Sequence, residues 1–266
     1  MIDIALIQMR IIDGNKELNL KNGLSFLKDL TVREPFPDIV CLPELFNTGY
    51  DLHNVQKLAE PLIGETINKI REISKNNFMV IGTILEKQDG KFYNTAFILD
   101  KTGEIIGKYR KIHLFFPMLE KEYLTPGDSI NIFHVSEFPN LKVGLAICYD
   151  LRFPELFRAI VLQGANIIFV PSEFPTPKND VWKTLLIARA IENQVFLVGI
   201  NRVGKGRSDS FFGNSMITNG DIHYFLGTNP AVKRFKIDLS SLEEIRRTLP
   251  LLKDRRNDLY KFSFTK

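Results

Sequence analysis

The run Gly144-Leu145-Ala146-Ile147-Cys148-Tyr149-Asp150-Leu151-Arg152-Phe153-Pro154-Glu155 joins an apolar segment to a helix through a polar, charge-bearing turn. Such a join marks a buried strand feeding a helix, with proline placed at the first helical position. The pattern repeats. Strands are expected at residues 2–9, 38–42, 78–84, 141–148, 166–170 and 195–200, and helices at 15–30, 64–76, 154–162 and 181–192. Leu20, Leu24, Leu27 and Ile67, Ile70, Ile73 fall at near-helical spacing. Strands linked through helices run parallel, but ribbons interrupt them. Residues 92–99 and 104–107 flank the turn Asp100-Lys101-Thr102-Gly103, and 130–133 adds a further strand. Residues 216–218 and 222–225 are expected to pair across a two-residue turn at Asn219-Gly220. The sheets are therefore mixed. The expected fold is α/β: a four-layer α-β-β-α sandwich, two stacked sheets with helices covering their outer faces. No long linker or low-complexity segment breaks the chain, so residues 1–266 are read as a single domain.

Composition removes several function classes. No window approaches 18 apolar residues, which excludes a helical membrane span. The first residues lack a basic leader and cleavage site, so they read as a strand and not as a signal peptide. Two cysteines make no disulfide framework, and a reducing cytoplasm is the expected location. Cys41, inside Asp38-Ile39-Val40-Cys41-Leu42, reads as packed core. The net charge of +4 is modest, and the basic residues Arg246, Arg247, Lys253, Arg255 and Arg256 are interrupted by acidic ones. No nucleic-acid partner is expected.

A cysteine at the carboxyl end of a strand in an α/β protein lies where ligands bind. Its ordinary pKa leaves it protonated at neutral pH, so a nucleophile needs a base or a positive neighbour. His113 is the one histidine in a stretch of functional appearance, which keeps cysteine–histidine chemistry open. Scattered histidines and two distant cysteines lack the spacing of a zinc site. Glu44 ends a buried strand ahead of the turn Phe46-Asn47-Thr48-Gly49-Tyr50, where desolvation would raise its pKa toward general-base use. The alternative is a capping or exposed turn glutamate. Lys111 lies in a basic run that alternates with aromatic and apolar residues. It is either a solvated face or an oxyanion-stabilising cation.

Three blocks, Leu42-Pro43-Glu44, Tyr109-Arg110-Lys111-Ile112-His113-Leu114-Phe115 and Ile147-Cys148-Tyr149-Asp150-Leu151-Arg152-Phe153-Pro154-Glu155, resemble the signature segments of the nitrilase superfamily, the carbon-nitrogen hydrolases. They stand in family order. Leu119-Glu120-Lys121, Ala188-Arg189-Ala190-Ile191-Glu192-Asn193 and Phe212-Gly213-Asn214-Ser215 are similar to further family segments. The resemblance implies that Glu44 is the general base, Cys148 the nucleophile forming a thioester, and Lys111 the stabiliser of the tetrahedral intermediate, with a backbone amide at Tyr149. It implies that Glu120 holds Lys111 and aids proton transfer. Arg189, Glu192 and Asn193 are expected to be scaffold. Neither metal nor organic cofactor is implied, and a homodimer or higher homo-oligomer is.

The segments around Lys111 and Cys148 look most like the omega-amidase group, which releases ammonia from keto-dicarboxylic acid monoamides. The expected activity is therefore hydrolysis of a small linear carboxamide. The alternatives are a carbamoyl-amino-acid or ureido-acid hydrolase, an aliphatic nitrilase, and a non-enzymatic scaffold with the same fold. Tyr50, Arg152, Glu173 and Phe174 are candidate substrate contacts, and Arg152 with Arg110 would suit a substrate carboxylate. Glu173, just beyond a strand, either faces the pocket and repels an anion or is a loop charge. Phe115-Phe116-Pro117 departs from omega-amidases, which commonly have aspartate after the first phenylalanine. That predicts a more apolar entrance.

Overall fold

The computed structural model describes residues 1–32 and 34–260; residues 261–266 of the expected domain lie outside the described residues. The first sheet is built largely before the second begins. β1 (Ile2–Gln8), β2 (Ile39–Cys41), β3 (Met79–Gln88), β4 (Lys91–Leu99) and β5 (Ile105–Arg110) come first. α1 (Lys16–Thr31), α2 (Val55–Leu58) and α3 (Glu65–Ser74) lie in their crossovers. After α4 (Glu120–Tyr123) come β6 (Ile132–Val135), β7 (Phe138–Leu145), β8 (Ile167–Ser172) and β9 (Phe196–Asn201), joined through α5 (Pro154–Leu162) and α6 (Asn179–Asn193). β10 (Val203–Lys205) and β11 (Ser210–Phe212) form a separate ribbon. β12 (Met216–Thr218) and β13 (His223–Phe225) extend the second sheet, and β14 (Ala231–Ile237) returns to the first ahead of α7 (Ser240–Thr248). The orders are β14-β1-β2-β3-β4-β5 and β13-β12-β9-β8-β7-β6. Within each sheet three central strands run parallel and the flanking pairs are antiparallel.

Period-two alternation sorts the first sheet into two faces. Ile4, Leu6, Ile39, Cys41, Met79, Ile81, Ala96 and Ile98 join the core shared with the second sheet. Ala5, Ile7, Val40, Leu42, Val80, Phe97 and Leu99 pack instead with Leu20, Leu27, Ile67 and Ile70 of α1 and α3. Cys41, fully buried between the sheets, is core as expected. On the second sheet's outer face Gly199 lets α6 approach, since a Cβ there would stand 2.6 Å from Leu186 and 2.7 Å from Trp182. The arrangement is the α-β-β-α sandwich. Among the described residues no helix is long and apolar enough to cross a membrane.

The structure departs from the sequence reading in several places, among them the β10–β11 ribbon and α7, which that reading does not contain. The turn joining β12 and β13 spans residues 219–222 rather than two, because Asn219 Oδ1 accepts from the Asp221 and Ile222 amides and closes a wider Asx-type loop. β14 was not anticipated. Its run Ala231-Val232-Lys233-Arg234-Phe235-Lys236-Ile237 breaks period-two alternation at a half-exposed edge, and its partner β1 lies at the other end of the chain.

Candidate active site

Each chemical residue leaves a strand end. β2 stops at Cys41, Leu42 still bonds Ile81 O at 2.8 Å, and Glu44 follows, fully buried. The next amide, of Leu45, donates to Thr83 Oγ1 at 2.6 Å, fixing the turn. Lys111 follows β5 directly, its N–H bonded to Asn94 O at 2.9 Å. Cys148 stands just beyond β7, on the other sheet, and opens the 3-10 turn Cys148–Arg152 with φ +44°. A non-glycine residue in that left-handed region is strained, which is characteristic of functional positions. Glu120 is the first residue of α4, after Leu119 at φ +61°.

These ends converge. Lys111 Nζ lies 2.9 Å from Glu44 Oε1, and 3.0 and 2.8 Å from the two Glu120 oxygens. Tyr50 OH stands 2.6 Å from Glu44 Oε1 and 2.9 Å from Glu120 Oε1, and its one proton serves only one of them at a time. Asn94 Nδ2 donates to the same two oxygens at 2.7 and 3.1 Å. The Phe115 N–H donates to Glu120 Oε2 at 2.6 Å, and the Glu173 N–H to Glu44 Oε2 at 2.7 Å.

Electrostatics follow from two buried carboxylates around one buried ammonium. Burial alone would lower the Lys111 pKa, but Glu120 and Glu44 outweigh it and hold the amine protonated. Glu120 lies above the usual carboxylate range because burial and Glu44 raise it against the pull of Lys111. Burial, then the Glu44 charge, push the Cys148 thiol up, and a hydrogen bond to Glu44 adds to this. Lys111 and the Glu173 N–H act the other way. The resting thiol is therefore protonated.

Asp150 ties the Lys111 and Cys148 segments together. Its Oδ2 accepts from Tyr109 OH at 2.7 Å and the Ile147 N–H at 2.9 Å. Its Oδ1 accepts from the His113 N–H at 3.0 Å and lies 2.8 Å from His113 Nδ1. His113 stacks on Phe153 and stands in this support, with no contact to Cys148 given by the geometry. The carboxylate whose charge acts most on the Cys148 thiol is that of Glu44.

A narrow cleft over Cys148 is walled by Phe115, Tyr149, Arg152, Phe174, Pro175 and Lys178. The Arg152 guanidinium lies 5.4 Å from the Phe174 ring centre, and Lys178 Nζ 5.6 Å from that of Phe115. Arg152 and Phe174 thus border the cleft. Lys178 was missed by sequence reading, as were Asn94 and Arg202. Three expected contacts are corrected. Arg110 makes no substrate fork, because it grips Glu86 at 2.8 and 2.9 Å and covers the Tyr93 ring. Tyr50 is inside the charged cluster and not in the wall of this cleft. Glu173 is neither an entrance anion nor a loop charge, because its buried carboxylate pairs with Arg202 Nη1 at 2.6 Å. Arg189 and Glu192 pair at 3.0 Å on α6, as expected of scaffold. Among the described residues no group of three or more His, Cys, Asp or Glu side chains is arranged to hold a metal ion.

A stacked pair of sheets whose ends bring glutamate, lysine and cysteine into one buried cluster defines a nitrilase-type hydrolase. The chain belongs to the carbon-nitrogen hydrolase family: the profile of that family, Carbon-nitrogen hydrolase, matches residues 3–247. It is 37% identical to the 2-oxoglutaramate amidase of Bacillus subtilis (strain 168), over 97% of this chain and 98% of that one. To the human protein Omega-amidase NIT2 it is 33% identical, over 97% and 96% of the two chains. Among solved structures, Saccharomyces cerevisiae Nit3, a member of branch 10 of the nitrilase superfamily, superimposes with a TM-score of 0.86. That pair is 30% identical, with 96% of each chain covered.

Proposed function

We propose that this chain hydrolyses the carboxamide of a small linear substrate bearing a carboxylate, of the keto-dicarboxylic acid monoamide class, and releases ammonia. The observation supporting the substrate class is that Arg152 and Lys178 both border the cleft over Cys148. Among the described residues neither is paired with a carboxylate, and the Glu173 carboxylate is held on Arg202. The similarity to relatives named as a 2-oxoglutaramate amidase and an omega-amidase supports the same reading.

In this mechanism Glu44 takes the thiol proton as Cys148 Sγ attacks the amide carbon. The carbonyl oxygen becomes an oxyanion, stabilised by the Lys111 ammonium and the Tyr149 backbone N–H. The C–N bond then breaks as the amide nitrogen receives a proton from the Glu44–Glu120 pair, so ammonia leaves and a thioester remains. Water, losing a proton to Glu44, adds to the thioester; the C–S bond breaks, the thiol regains a proton, and the carboxylic acid departs. Glu120 holds Lys111 throughout. Cys148 acts as a thiol and both cysteines are free, so a reducing cytoplasm is part of this reading.

Self-association is also proposed. Leu162 at the end of α5 and Val181 and Ile191 on α6 are exposed apolar side chains. A second copy docked over these helices would cover them. Light scattering that returns the mass of one chain would refute it.

The function is tested by ammonia release from a keto-dicarboxylate monoamide, a neutral aliphatic amide, a carbamoyl amino acid and a short nitrile, with wild type beside Cys148→Ala. Cysteine-dependent preference for the first is expected. Preference for another substrate would overturn the substrate class, and turnover by Cys148→Ala would overturn the mechanism.

A further inference from the structure

Glu44 is held from two directions. Side chains of the first sheet and its loops bind Oε1, whereas Oε2 receives the backbone N–H of Glu173, which lies 129 positions away at the end of β8 in the second sheet. The position of this main-chain donor depends on what fixes the peptide segment 172–174.

That segment is gripped on both sides by two consecutive residues, Asn201 and Arg202, at the end of β9. Asn201 Oδ1 accepts from the Phe174 N–H at 2.8 Å, and its Nδ2 donates to Phe174 O at 3.1 Å and Gly213 O at 3.0 Å. The Arg202 N–H donates to Ser172 O at 3.2 Å. Its guanidinium donates to Glu173 Oε2 at 2.6 Å, to Asp13 Oδ1 at 2.8 Å, to Ile11 O and, at 3.4 Å, to Lys205 O. Arg202 also covers the Phe211 ring at 4.3 Å, and both Arg202 and Glu173 are fully buried. A buried ion pair contributes little net stability compared with apolar residues of similar volume. Its use here is geometric, because a planar guanidinium with several fixed partners leaves the Glu173 backbone few positions.

We infer that Arg202 and Glu173 form a positioning clamp: their side-chain contact aims the Glu173 backbone N–H at Glu44 Oε2, setting the geometry in which base and thiol meet. Neither side chain touches substrate. The inference rests on Glu44 and Cys148 being the reacting pair.

The test reads the thiol directly. Cys148 is alkylated with iodoacetamide across pH 6–10 in wild type, Glu173→Gln and the double variant Glu173→Leu/Arg202→Met, with folding checked by circular dichroism. Cys41, sealed between the sheets, is the unreactive internal control. Glu173→Gln keeps the backbone N–H and loosens the clamp. It is expected to slow labelling about fivefold or more across that pH range, the effect of one weakened hydrogen bond. KM for the amide stays near wild type while kcat falls. A folded Glu173→Gln protein with the wild-type labelling rate across that range would overturn the clamp. If that variant does not fold, the double variant decides: slowed labelling supports the clamp, and a wild-type profile overturns it. Failure of wild-type Cys148 to label at any pH would instead remove the reacting pair on which the inference stands.

Discussion

Lys111→Met probes the cluster most severely, because it removes the one cation from between two buried carboxylates. Lys111 Nζ is within 3.0 Å of both Glu44 and Glu120, and none of the three side chains is exposed. Unit charges about 3 Å apart at an effective dielectric of about 20 interact by roughly 5 kcal/mol. Breaking a buried pair from one side typically costs about 3–5 kcal/mol. At about 2 °C per kcal/mol for a chain of this length, Tm at pH 8 is expected to fall by about 6–10 °C. The sign of the pH dependence follows from Glu120. A carboxyl whose folded pKa is raised adds stability below its unfolded pKa of about 4 and loses it as pH rises through the folded value. Burial and Glu44 already raise Glu120 in wild type, with Lys111 opposing them, so removal of Lys111 raises it further. The deficit against wild type is therefore largest at pH 8 and closes toward pH 5. Adding Glu120→Gln to Lys111→Met should restore much of the Tm at pH 8 and none of the turnover, which is expected to fall at least 100-fold with the proposed oxyanion donor gone. The assays are melting curves at several pH values and ammonia release. A Lys111→Met protein with wild-type Tm at pH 8 and turnover within tenfold of wild type would refute the reasoning.

Cys148→Ala is expected to abolish turnover with an unchanged melting curve, while Cys41→Ala, a small void between the sheets, costs about 1–2 kcal/mol in denaturant titration and leaves kcat/KM near wild type. Arg152→Gln and Lys178→Gln should each raise KM for an anionic amide about tenfold or more with little effect on a neutral amide of the same length. Equal effects on both substrates would show that neither cation reads the carboxylate. Asp150→Asn presents an amide NH2 to groups that now donate to Asp150, so it should cost about 1–3 kcal/mol and lower kcat with KM little changed. Wild-type stability of that variant would remove Asp150 as the tie between the two segments.

How far the sequence reveals this site depends on where each residue sits relative to a strand end. Glu44, Lys111 and Cys148 follow β2, β5 and β7 within a few residues, and an apolar run ending in a charge or thiol is visible in one dimension. Asn94 and Tyr50 are not visible in that way. Asn94 lies within β4 amid ordinary strand residues, and only the β4–β5 pairing brings it beside Lys111. Tyr50, in an aromatic turn, reads as a wall because tyrosine commonly lines pockets; its hydroxyl proves to be a member of the charged cluster. The Glu173–Arg202 pair is an intermediate case. Both residues follow apolar strands, and β8 and β9 run parallel with Ser172 opposite Asn201, so the next residues, Glu173 and Arg202, stand level with each other. Opposite charges one step past the ends of adjacent parallel strands are a legible signal once the strand order is known. Read singly, Glu173 is either a pocket charge that would repel an anionic substrate or a loop charge. Read with Arg202, it is a paired, buried side chain, and Arg152 and Lys178 are the charges bordering the cleft.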